Sequence, residues 1–179
     1  MFPESLWEAH ISSIFRGTRS ADRNLCEWDA RFLERLRATV AALPVGTAKL
    51  HVEKRDVSKA QSTSFCIVPA NPRSARIRAD VSGWHGIDFA IGEEISDDIF
   101  LGSSGEELGR GEEEFFWICE AVFVTHFEAT VTYSSKGKSL CSRMTLQMGG
   151  RSKKFRRQRI FWWLFPNRTT KHFSYEPYY

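Results

Sequence analysis

The residues best suited to chemistry in this sequence are charged rather than nucleophilic. Between Lys136 and His172 stand eleven basic side chains, Lys136, Lys138, Arg143, Arg151, Lys153, Lys154, Arg156, Arg157, Arg159, Arg168 and Lys171, and no acid. The whole chain has 25 basic and 22 acidic residues, so everything outside that segment sums to −8. Arginine and lysine release the counterions condensed on a phosphate backbone. Phe155, Phe161, Trp162 and Trp163 lie among them and offer faces on which unpaired bases stack. Arg151, Lys153, Lys154, Arg156, Arg157, Arg159 and Trp162 are therefore candidate binding residues for RNA or single-stranded nucleic acid. Strand alternation supplies a plainer account, in which the aromatic residues enter the core while the charges are solvated or paired with acids elsewhere.

The acids gather in a second cluster, with Glu93, Glu94, Asp97, Asp98, Glu106 and Glu107 followed by Glu112, Glu113 and Glu114. Carboxylates at this density suit a hard cation or a basic protein surface. The spacing lacks the alternating ligands, central Gly and terminal Glu of an EF-hand, which leaves the first six as candidate residues for a protein partner. Gly102-Ser103-Ser104-Gly105 has the look of a phosphate cradle but not the Gly-Lys-Ser/Thr ending that holds nucleotide phosphates.

The five histidines, His10, His51, His85, His126 and His172, show no paired ligand spacing, and the four cysteines, Cys26, Cys66, Cys119 and Cys141, form no Cys-x-x-Cys pair. No metal and no cofactor are expected. Cys66 or Cys119 with His51 or His126 would make a nucleophile and base only if the fold brought them together, which is the basis of a third reading, an enzyme with an unrecognised pocket. No catalytic residue is named.

The elements that must position these residues follow from periodicity. Leu6, Trp7, His10, Ile11, Ile14 and Phe15, and then Leu25, Trp28, Phe32, Leu36, Val40 and Leu43, recur at helical spacing. Pro44 and Gly46 stop the second helix. The period then changes to two, most clearly where Ala75, Ile77, Ala79 and Val81 alternate with Arg76, Arg78 and Asp80. Similar runs at 48–56, 61–68 and 86–91, separated by turn residues, predict a four-strand meander. Gly92 to Gly111 reads as a long exposed loop with a short strand near Ile99 to Leu101. A third, broadly apolar helix is expected behind Glu112, Glu113 and Glu114. Phe127 to Tyr133 and Leu140 to Met148 read as a hairpin, followed by a strand across Lys154 to Phe165 that ends at Pro166 and an extended end through Phe173, Tyr175 and Tyr178.

At 179 residues, 42% hydrophobic and 26% charged, the chain suits one globular domain. The expected fold is α+β, a mostly antiparallel sheet of seven or eight strands with two N-terminal helices and one later helix packed on it. Glu4 and Glu8 interrupt the apolar start, so it does not read as a secretory leader. The longest apolar run considered, Ile160 to Phe165, falls far below the roughly 20 residues of a membrane span. A cytoplasmic protein with free thiols and no membrane partner is expected.

These features favour a non-enzymatic protein-binding or regulatory module of bacterial type, with nucleic-acid binding through residues 151–159 as the alternative. In general character, by size and composition and not by motif, the chain is similar to toxin-neutralising immunity proteins.

Overall fold

A computed structural model describes residues 18–57, 60–82, 86–92, 95–100, 105–159, 162, 165 and 167–179. The expected first helix, Leu6 to Phe15, lies outside these residues, as do Glu93, Glu94, Phe161 and Trp163. The chain divides after Leu36 into two compact units, and the division falls inside the helix α1, Thr18–Ala41. In the first unit, Trp28, Phe32, Leu33 and Leu36 are buried, and the Trp28 and Phe32 rings stand 5.1 Å apart. Trp28, Phe32 and Leu36 are the part of the expected apolar stripe that lies here, joined by Leu33, with Arg31 and Glu34 exposed.

In the second unit α1 ends where Pro44 and Gly46 break the helical backbone, Gly46 at φ +81°. Five strands follow: β1 (Ala48–Val57), β2 (Ala60–Pro69), β3 (Ile77–Ser82), β4 (Gly86–Ile91) and β5 (Ile95–Phe100). Each pairs antiparallel with the next, in the spatial order β1-β2-β3-β4-β5. The helix α2, Gly105–Val124, leads into a four-stranded antiparallel sheet. Its strands are β6 (Phe127–Tyr133), β7 (Ser139–Met148), β8 (Arg151–Gln158) and β9 (Thr169–Tyr175), in the order β8-β7-β6-β9. The fold is α+β and mostly antiparallel, as expected. Among the described residues it has nine strands in two sheets, rather than seven or eight in one, and two helices.

The main correction concerns Gly92 to Gly111. The short strand expected near Ile99 to Leu101 is present as the longer β5, Ile95–Phe100, and residues 105–111, expected as loop, are the first seven residues of α2. Asp97 and Asp98 thus belong to a strand, and Glu106 and Glu107 to the first turn of a helix, where carboxylates complement the N-terminal dipole. Gly109 and Gly111 are poor helix formers. The helix persists because Gly111, Phe115, Ile118 and Val122 form one buried stripe, so tertiary packing outweighs weak local propensity. The strand expected across Lys154 to Phe165 lies earlier, at Arg151–Gln158.

Apolar residues surround most of α2. Phe115, Phe116, Ile118, Cys119, Ala121, Val122 and Phe123 are all buried. Phe115 meets Phe65 of β2 and Phe89 of β4 edge-on, at 5.7 and 6.0 Å between ring centroids. Phe89 in turn meets Phe155 of β8 at 6.0 Å, so both sheets share one aromatic core. Each such phenylalanine contributes about 1.5–3 kcal/mol by leaving water. Burial drives the Cys119 thiol far above its ordinary range.

The C-terminal segment closes the second unit. Tyr178 donates from its hydroxyl to the Ala75 carbonyl at 2.6 Å and from its backbone N–H to the Phe123 carbonyl at 2.8 Å. Glu176 accepts from Asn71 at 3.1 Å and Arg73 at 3.0 Å. Gly92, at φ +66°, admits the Tyr175 ring so closely that a Cβ there would overlap its hydroxyl. Among the described residues no helix is long and apolar enough to cross a membrane.

Gly109 lies within α2, with open space where a Cβ would stand. Gly109→Ala should raise unfolding stability in urea by roughly 0.5–1 kcal/mol, because alanine loses less backbone freedom in the helix. The hydrogen bonds from Asn71 and then Arg73 hold the Glu176 carboxyl below its usual range. Its contribution to stability is therefore complete above the ordinary carboxylate range and is lost as pH falls through the lowered value. Thermal melts across that acidic window should show a smaller decline for Glu176→Gln than for the unsubstituted chain.

Candidate functional site

Strand alternation divides the basic segment between two environments. Arg151, Lys153, Phe155 and Arg157 share the side of β8 toward α2 and β5, where Lys153 is part-buried and Phe155 buried while Arg151 and Arg157 stay exposed, and Ser152, Lys154, Arg156 and Gln158 take the opposite, exposed side. The first set is occupied. The Arg151 guanidinium lies 4.5 Å from the centre of the Trp117 ring. Lys153 Nζ stands 2.6 Å from Glu114 and 3.7 Å from Asp97, and all three side chains are part-buried. Phe155 is in the core, and Arg157 donates to Ser96 Oγ. These contacts place β8 alongside β5. Arg159 is exposed, and its backbone N–H donates to the Leu140 carbonyl at 2.9 Å. Trp162 is half-buried, with the Arg168 guanidinium 5.1 Å from its ring centre.

The solvent-facing set continues across the sheet. Arg156 stands opposite Arg143 of β7, Arg143 opposite Thr130 of β6, and Thr130 opposite His172 of β9. Lys154 lies one row away, opposite Thr145. The far side of this face also carries Glu128, opposite Ser174. Hairpin geometry fixes the row: Gly149 and Gly150, at φ +60° and +78°, form a two-residue turn that brings Arg143 and Arg156 into register.

The five-stranded sheet bears the opposite pattern. On its outer face Glu53 of β1 pairs with Ser64 of β2, Ser64 with Asp80 of β3, Asp80 with Asp88 of β4, and Asp88 with Asp98 of β5. Asp80, Asp88 and Asp98 are exposed and occupy adjacent positions on three successive strands. Directly opposed like charges destabilise a sheet. Ser64 donates to Asp80, and Arg78 stands diagonally from Asp88, one row along. A groove of about 760 Å³ brings these carboxylates together with Arg78, Arg156 and Arg157.

No family model, curated protein or solved structure matches this chain. The site is therefore read from its own geometry. Of the acids singled out in the sequence, Asp98 lines the groove on its outer side and Asp97 lines it while reaching Lys153. Glu106 pairs with Arg110 at 3.4 Å on α2, and Glu107 is exposed beside it. Neither of these glutamates lines the groove. Asp80, Asp88, Arg143 and His172 were missed as site residues. The signal for Arg143 is its symmetry with Arg156 about the Gly149-Gly150 pair, and Asp80 and Asp88 are joined by the register of β3 and β4.

The register does bring Cys66 opposite His51 on the outer face. Burial raises the Cys66 thiol, more than the nearby Arg76 and Arg78 lower it, which disfavours the thiolate a nucleophile needs. His126 instead meets Ser174 Oγ at 2.8 Å, while Cys119 is enclosed in the core. Among the described residues no group of three or more His, Cys, Asp or Glu is arranged to hold a metal ion.

Asp88 has an acid on either side, so Asp88→Asn should stabilise the fold by about 0.5–1 kcal/mol in low salt, with the gain shrinking as salt screens the unsubstituted chain. Denaturant midpoints at two ionic strengths measure both effects.

Proposed function

We propose that this chain is a non-enzymatic protein-binding module that docks its partner on the outer face around the groove between β5 and β8. The observation that carries this reading is the register-matched row Asp80, Asp88 and Asp98. Nothing in folding favours three neighbouring exposed carboxylates, and a charged row that costs stability is expected where recognition requires it. The groove's mixed charge also suits a protein surface better than a phosphate chain, which the carboxylates would repel.

Nucleic-acid binding is the second reading, favoured by the exposed Arg156, Arg143 and Lys154. Two features weigh against it: Lys153 is part-buried and paired with Glu114 while the exposed Arg151 and Arg157 are held against Trp117 and Ser96, and the Phe155 ring is buried.

The immobilised chain should retain a partner from an extract of its source cells that the triple variant Asp80→Asn, Asp88→Asn, Asp98→Asn no longer retains, although the variant melts no lower. Retention of the same proteins by both would refute the docking face. In parallel, fluorescence anisotropy with mixed single-stranded RNA and DNA should show no salt-sensitive binding. Binding that weakens steeply with salt and disappears in Arg143→Glu, Arg156→Glu would favour the second reading instead.

A further inference from the structure

The outer surface beside the groove is polarised. On one flank stand Asp80, Asp88 and Asp98, with Arg78 as the basic residue among them, and on the other Arg156, Arg143 and Lys154, all exposed. A surface divided in this way is its own electrostatic complement. A two-fold axis lying in the plane of contact and running along the groove would set the acidic flank of one copy over the basic flank of the other, and the reverse at the same time. Such an isologous contact closes on itself, which is the commonest symmetry among soluble assemblies. Complementary potentials of this kind steer encounter and fix orientation.

We infer that the partner of this face is a second copy of the chain, joined through the groove in a two-fold dimer. This rests on the docking reading above and names its occupant. The contact relieves two costs at once, since the opposed aspartates of β3, β4 and β5 and the opposed arginines of β7 and β8 each gain charges of the other sign. Phosphate-bearing ligands would satisfy only the basic flank, and a uniformly basic protein only the acidic one.

Sedimentation velocity on the full chain tests the inference at roughly 0.01 M and 1 M salt, where the screening length is about 30 Å and about 3 Å. Dimer is expected at low salt, with its dissociation constant rising at least tenfold at high salt. Two charge-reversed chains extend the test, one carrying Asp80→Lys, Asp88→Lys and Asp98→Lys, the other Arg143→Glu and Arg156→Glu. Each should be monomeric alone, because the two rows that would face each other then carry like charge, and a mixture of the two should associate. Should either fail to fold by circular dichroism, the neutral variants Asp88→Asn and Arg143→Gln replace them and should each weaken the dimer. A chain that is monomeric at low salt, or a dimer indifferent to salt and to both sets of substitutions, overturns the inference. If the chain is monomeric yet the aspartate variants still lose a captured heterologous protein, self-association fails while the docking face stands. If the variants alter neither, both fail.

Discussion

A helix that is apolar around most of its girth cannot rest on a single surface, and this requirement organises the second unit. Phe115 of α2 packs against β2 and β4, Phe89 of β4 carries the contact on to Phe155 of β8, and Tyr178 covers the end of the helix at Phe123. One sheet alone would leave half of these rings wet. Placing α2 between five preceding and four following strands gives it cover from both, and the C-terminal residues complete the enclosure.

The external charge pattern is a by-product of the same arrangement. Once the inner face of each strand is committed to the aromatic core, alternation assigns every second residue to solvent, and antiparallel register decides which of those become neighbours. Lys153 is the exception that ties the two levels together. It lies on the inward-facing side of β8, where an unpaired charge would be costly, and it reaches Glu114 of α2 and Asp97 of β5. Part of the acid and part of the base in this sequence therefore cancel inside the molecule, and only the remainder is displayed.

Much of the fold was legible because period two and period 3.6 are local properties. The meander from β1 to β4, the β6–β7 hairpin and the stripe of α1 all follow from spacing that a short window reveals. The segment from Gly92 to Gly111 was misread because its glycines and acids carry loop composition, while its helical stripe becomes apparent only when Gly111 is aligned with Phe115 and Ile118. The site was less legible than the fold. Asp80, Asp88 and Asp98 are eight and ten residues apart, and as letters they are unremarkable. They become a row only through the pairing of β3, β4 and β5, and Arg143 joins Arg156 only through the turn at Gly149 and Gly150. Reading the basic strand as a unit likewise overstated it, since Arg151, Lys153 and Arg157 already contact α2 or β5 and Lys153 is part-buried there.

That two-glycine turn sets the phase of everything beyond it. Both residues occupy the left-handed region, which side chains resist, so the linkage between β7 and β8 has little freedom to lengthen. An insertion of one residue would transpose the strand by half a pleat. Phe155 would be expelled into water, Lys154 and Arg156 would be driven toward the aromatic interior, and the polarity of the surface would invert along with the loss of the core. Packing and display are thus written into one hairpin, and neither can evolve without carrying the other with it.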